Sequence, residues 1–251
     1  MGALHEGHIS LIQTASFQND ITVCSIFVNP TQFNNPEDLA KYPRTLEEDC
    51  AMLESAGCSA VFAPTVDEMY PEPTMLTMNF GLLETVMEGA SRPGHFNGVG
   101  IVVSKLFNIV QPHKAYFGQK DLQQVTVVKR LVADLSFNLE LIVCPTVREN
   151  DGLAMSSRNR RLNDAERAHA PIIYKILLDA KEKILGGNDI EETKEAVQRE
   201  FLVLAGFELD YFEVVNIRTL QSIHTIGSTA TTALCIATFL GSVRLIDNIV
   251  F

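Results

Sequence analysis

The chain has 251 residues, 46% of them hydrophobic and 20% charged, the balance of a globular protein with a sizeable core rather than of a disordered or disulfide-stapled chain. At roughly 150 residues per domain, that length gives between one and two domains. A net charge of −11 argues against broad binding to nucleic acid or an anionic membrane, because such partners demand a cationic face.

In chain order, short β-rich runs alternate with helical stretches through the first part, the pattern of βαβ units that build a parallel sheet. The strand candidates are ITVCSIFV (21–28), SAVFA (59–63), KAYFG (114–118) and LELIVC (139–144), with helices expected at 8–18, 45–56, 95–110 and 120–134. The second helix opens on Thr45 with Glu48 three residues later and stops at Gly57, which predicts a capping box and a glycine stop. After Cys144 the pattern changes to two long amphipathic helices, 164–185 and 190–205, followed by consecutive strands at 209–216, 232–240 and 242–248. Such an order suggests a small α+β domain. A boundary near Pro145 divides the chain into domains 1–146 and 147–251.

Cys24, Cys50, Cys58, Cys144 and Cys235 are odd in number and show no CxxC spacing, so they read as reduced thiols of a cytoplasmic protein. The stretch from Thr219 to Val243 lacks Asp, Glu, Lys and Arg, but its eleven polar side chains exclude a membrane span. No basic segment followed by an apolar one opens the chain, so no signal peptide is expected.

The octapeptide MGALHEGH places His5 and His8 three residues apart where a helix should begin, on one face of its first turn. A helix N-terminus offers unpaired N–H groups and partial positive charge. Gly7 would let a phosphate approach the backbone, and the imidazoles could donate to its oxygens. Read alone, the pair serves equally well as capping or surface histidines. Asn29 and Gln32 follow a strand run, and ligands of open parallel sheets bind outside the carboxyl ends of strands, although Asn-Pro is also common in loops. Lys120 and Asp121 follow KAYFG, where a lysine can follow charge developing on a phosphoryl group or simply be solvated. MSSRN (155–159) offers two hydroxyls and a guanidinium to a pyrophosphate; otherwise it reads as a hinge loop. His95 stands at another helix start, and Glu48, Asp49 and Met52 share the helix after PRT.

MGALHEGH resembles the HIGH motif of the nucleotidyltransferase superfamily, in the wording of the pantothenate synthetase (pantoate–beta-alanine ligase) family. FVNPTQF (27–33), KYPRTLEED (41–49), EGASRPGHFNGV (88–99), AYFGQKDLQQ (115–124), PTVRENDGLAMSSRNRRL (145–162) and VRLIDNI (243–249) agree with that family, so the resemblance spans nearly the whole chain. It implies a Rossmann-like parallel sheet with helices on both faces, a smaller α+β C-terminal lid domain, and a homodimer. The implied activity is the ATP-dependent condensation of pantoate with β-alanine through pantoyl adenylate, releasing pyrophosphate and AMP, with Mg²⁺ accompanying ATP. Carried over residue by residue, the catalytic groups are His5, His8, Lys120, Ser156, Ser157 and Arg158. ATP would also meet Met1, Gly7, Phe117, Gly118, Asp121, Val147 and Met155, with MSSRN standing for the mobile KMSK-type loop and Arg158 in place of its lysine. Pantoate would meet Phe27, Asn29, Gln32, His95 and Gln124, and Asp49 would reach the metal through water.

In the family a further segment, including a strand that leads into the motif, precedes the position of Met1. That departure favours an alternative expectation: a truncated, weakly active or inactive nucleotide-binding scaffold whose central strand is missing. Leu122 stands where an aromatic is common, and Asn150 where proline is usual. A nucleotidyltransferase with a phosphorylated acceptor would need a further basic pocket and would not combine PGHFNGV with FGQKDLQQ.

Overall fold

The computed structural model describes residues 1–32, 39–40, 42–226 and 231–251; Phe33 and Lys41, at the ends of two of the family-like segments, lie outside them. The chain divides into two compact units, Met1–Gly118 with Gln123–Pro145, and Gln119–Leu122 with Thr146–Phe251.

The first unit runs α1 (Glu6–Gln18), β1 (Val23–Ser25), α2 (Leu46–Ser55), β2 (Ala60–Phe62), the short α3 (Val66–Met69) and α4 (Met87–Ser91), then α5 (His95–Val110), β3 (Lys114–Gly118), α6 (Leu122–Asp134) and β4 (Glu140–Cys144). Its strands pair in parallel, Cys24 opposite Val61 and Tyr116 opposite Ile142. They form two separate two-stranded ladders among the described residues rather than one continuous sheet. The edge of β1 is met by Met1, whose amino group donates to the Ser25 carbonyl at 2.9 Å and whose carbonyl accepts from Phe27 N–H at 3.0 Å. Those are the backbone groups that a neighbouring strand would use.

Phe96, Val99, Val103 and Phe107 recur at helical spacing along α5 and pack with Val127, Val128 and Leu131 of α6 and Ala115 of β3. Full burial of each large apolar side chain contributes about 1.5–3 kcal/mol, so the stripe fixes α5 against the sheet. A second cluster of Leu4, Ile9, Ile12, Cys24 and Leu53 anchors the start of α1 to β1 and α2. The glycine stop after α2 is present, Gly57 having φ +83° and donating to the Glu54 carbonyl. The capping box expected at Thr45 is not: its hydroxyl turns instead to Asp49 Oδ1 at 3.2 Å. Capping boxes form at Thr65–Glu68 and Asn163–Glu166.

In the second unit α7 (Asp164–His169), α8 (Ile172–Leu185) and α9 (Ile190–Val203) precede an antiparallel sheet of β5 (Phe207–Asn216), β6 (Thr232–Leu240) and β7 (Val243–Val250), with β6 central. The single helix expected over 164–185 is two helices, because Pro171 has no N–H to continue the ladder. Ile173, Ile176 and Leu177 of α8 and Val197 and Phe201 of α9 bury against Leu234 and Ile236 of β6.

Candidate active site

His5 caps α1. Its backbone is extended, its Nδ1 accepts from Gly7 N–H at 3.2 Å, and its carbonyl accepts from His8 N–H at 2.7 Å. An accepting Nδ1 places the proton of a neutral His5 on Nε2. The His8 ring lies 4.0 Å away, centroid to centroid. The N–H of Gly7, the residue expected to let a phosphate approach the backbone, is therefore engaged by the cap. Just before it, Ala3 adopts φ +50°, a left-handed conformation that costs an L-residue roughly 1–2 kcal/mol. Asp49 holds it there, accepting from Ala3 N–H at 2.9 Å and Leu4 N–H at 2.8 Å while itself only 1% exposed. Both carboxylate oxygens of Asp49, the residue expected to reach a metal through water, thus accept from backbone amides. Glu48 is exposed.

Asn29, Gln32 and His95 do meet, in one hydrogen-bonded cluster. Asn29 Nδ2 donates to Gly98 O at 3.2 Å and Gln32 Oε1 at 3.3 Å, and its Oδ1 accepts from the Thr31 hydroxyl at 3.0 Å and the Tyr70 phenol at 2.8 Å. Both ends of this buried amide, expected to contact pantoate, are thus occupied by protein groups. The Gln32 carbonyl lies 3.0 Å from His95 Nδ1 and accepts from Arg92 Nη2 at 3.2 Å. Gly98 allows the close approach of α5 to this turn, because a Cβ there would lie 2.5 Å from the Thr31 carbonyl. Phe27 faces Tyr70 with ring centroids 6.1 Å apart, and burial raises the Tyr70 phenol above its ordinary range. Gln124 is half-buried in the first turns of α6. Sequence reasoning passed over its neighbour Gln123, whose amide accepts from Glu88 N–H at 2.9 Å and donates to the Leu83 and Val86 carbonyls at 2.8 and 2.9 Å.

In the second unit a hairpin bridged at Arg148 and Ala154 is closed by Met155 N–H donating to the Val147 carbonyl at 3.0 Å. It leads into the 3₁₀ turn Ser157–Arg161, which Ser156 Oγ caps by accepting from Arg158 N–H at 3.2 Å. Lys120, on the turn Gln119–Asp121, joins Ser156 and Arg158 in lining one cleft, together with Asn159, Arg244 and Asp247. Lys120 Nζ is 3.7 Å from Asp121 Oδ1. Arg244 pairs with Asp210 at 2.6 Å and Arg148 with Asp247 at 2.6 Å, so Arg244 and Asp247 of the lining are compensated, as Lys120 is by Asp121. Burial pushes the Asp247 carboxyl up, against the pull of the Arg148 fork. Gly118 has open space where a Cβ would point, and Phe117 packs edge-on against Phe107.

Imidazoles at a helix start, and a lysine, arginines and a serine hydroxyl around a cleft, are groups suited to polyphosphate. With parallel strand pairs flanked by helices, they define the class as a nucleotide-using α/β enzyme. Residues 1–250 match the family model of pantoate-beta-alanine ligase. The chain belongs to that family and is an ATP-dependent ligase that condenses pantoate with β-alanine. It is 49% identical to the pantothenate synthetase of Bacteroides fragilis over 99% of this chain and 88% of that one, and 48% identical to that of Cytophaga hutchinsonii over 100% and 89%. The crystal structure of the Thermus thermophilus pantothenate synthetase superposes with a TM-score of 0.93 at 44% identity, covering 99% of this chain and 90% of that one. A pantoate-beta-alanine ligase from Francisella tularensis, complexed with beta-gamma ATP and β-alanine, gives 0.80 at 39% identity, over 100% and 87%.

Proposed function

We propose that the ligation runs in two steps on the residues described above. A carboxylate oxygen of pantoate attacks the α-phosphorus of ATP in line, and the bond to pyrophosphate breaks; the amine of β-alanine then attacks the acyl carbon and displaces AMP. No protein nucleophile is required. Carboxylate and polyphosphate repel, so the protein's contribution is neutralisation and alignment, and alignment alone supplies roughly 7–11 kcal/mol in favourable cases. His5 and His8 donate to phosphate oxygens. Lys120, Ser156, Ser157 and Arg158 do so as well, and the lysine and the arginine follow charge onto the leaving pyrophosphate. Met1, Phe117, Gly118, Asp121, Val147 and Met155 surround the nucleotide in the same reading. The Gln32 and Gln124 amides bind the polar groups of pantoate and Phe27 its methyl groups, the mixture that a compact branched acid needs.

Magnesium belongs to the substrate in this reading, as MgATP. Asp49, whose oxygens each accept one backbone N–H, would meet the ion only through water, and no step is routed through the ion. Homodimerisation and a cytoplasmic location complete the proposal; five free cysteines suit the latter, and no helix among the described residues is long and apolar enough to cross a membrane.

The observation that carries the two-step reading is the convergence of Lys120, Ser156 and Arg158, distant in sequence, on one cleft. Isotope exchange between pyrophosphate and ATP tests it. Exchange should require pantoate and proceed without β-alanine, whereas exchange that waits for β-alanine would overturn the order of steps.

A further inference from the structure

Asp247 and Asn248 are adjacent polar residues on β7, 4% and 3% exposed, in a strand whose neighbouring positions bury Val243 and Leu245. Polar groups are costly there unless hydrogen-bonded, and each is bonded to a different segment of the cleft. Asn248 Nδ2 donates to the Gln119 carbonyl at 3.0 Å and the Lys120 carbonyl at 2.8 Å, fixing the backbone of the turn that carries Lys120. Asp247 accepts both arms of Arg148, at 2.6 and 2.9 Å. The same guanidinium donates to Gly152 O at 3.1 Å and lies over the Tyr174 ring at 3.6 Å. Arg148 opens the hairpin that delivers Ser156. Gly152, at its tip, comes so near Tyr174 that a Cβ would stand 2.7 Å from the ring, which leaves the hairpin little room to shift. Successive side chains of a strand point to opposite sides, so two consecutive residues can clasp two different segments. The strand between them then sets the spacing.

We infer that Asp247 and Asn248 are positioning residues that set Lys120 against the Ser156–Arg158 turn, one clasping each segment from a single rigid strand. The inference rests on the reading of that cleft as the polyphosphate site and adds to it the groups that fix its geometry.

Asn248→Ala removes both donors while adding no charge. It should lower kcat/KM for ATP by roughly tenfold or more, equivalent to about 1.4 kcal/mol, and leave the KM for pantoate within about twofold. In a Lys120→Ala background the same replacement should cost little further, because its effect passes through Lys120. Should Asn248→Ala fail to fold, Asp247→Asn carries the test from the Arg148 side with the same expected split between ATP and pantoate. Wild-type kcat/KM for ATP in either variant, a rise of more than about twofold in the KM for pantoate, or full additivity with Lys120→Ala would overturn the inference. Absence of pantoate-dependent exchange in the unmodified protein would instead overturn the two-step reading itself.

Discussion

Replacing Asp49 by alanine separates a structural carboxylate from a metal ligand. The change leaves the N–H groups of Ala3 and Leu4 unsatisfied in a buried place, at about 1–3 kcal/mol each. Part of that is returned when Ala3, no longer held at φ +50°, relaxes out of the left-handed region, recovering roughly 1–2 kcal/mol. The net loss is about 0–5 kcal/mol, set against a total stability of about 5–15 kcal/mol, and the melting temperature falls by roughly 2–4 °C for each kcal/mol lost. Activity should fall more steeply than stability, because the turn that relaxes is the one that leads to the His5 cap. Thermal melting and pantoate-dependent pyrophosphate exchange, both repeated across a magnesium titration, make the comparison. A ligand role would show as activity restored by excess magnesium at an unchanged melting point, and that outcome would refute the reasoning.

Lys120→Ala should depress single-turnover adenylate formation by about a hundredfold or more, while stability changes by under about 0.5 kcal/mol; rapid-quench kinetics and melting check the pair. Gly98→Ala places a Cβ 2.5 Å from the Thr31 carbonyl, so it should push the turn that holds Gln32 and raise the KM for pantoate, with a stability cost of about 1–3 kcal/mol. Cys24 is fully buried and burial pushes its thiol up to about 11, so alkylation of the native protein at mildly alkaline pH followed by peptide mass mapping should find it the last cysteine modified. Hydrogen bonding from Arg167 holds the Asp151 carboxyl below the ordinary range. Its stabilisation is therefore present above the unfolded value of about 3.9 and lost as pH falls through the lower folded value. Because the pair is partly exposed, the difference between the wild type and Arg167→Ala should be about 1 kcal/mol or less, and it should close on acidification in urea titrations.

The parallel pairing, the antiparallel second unit and most helices were legible because each follows from a period: Phe96, Val99, Val103 and Phe107 in α5, or the apolar run of β6. The break at Pro171 was legible in principle, from its missing N–H. What pattern could not supply was competition for hydrogen bonds. Thr45 and Glu48 have the spacing of a capping box, yet a buried Asp49 one residue on draws the threonine hydroxyl away. The HxxH spacing located a helix start, but not that His5 would take the Gly7 N–H for itself. Asn29 and Asn248 look alike as loop-type polar residues in sequence, and only their tertiary partners show that both hold backbone. Lys120 and Arg158 were singled out through family resemblance; no local rule brings two such distant cations to one cleft.

Pantoate labelled with heavy oxygen in its carboxylate tests the central claim most directly. Attack of a carboxylate oxygen on the α-phosphorus, followed by displacement at the acyl carbon, leaves one labelled oxygen on the phosphate of AMP and the other in the amide of the product. Mass spectrometry of both products should find that distribution. Label appearing in pyrophosphate or inorganic phosphate, or AMP carrying none, would contradict an acyl-adenylate and with it the roles assigned to His5, His8, Lys120 and the Ser156–Arg158 turn.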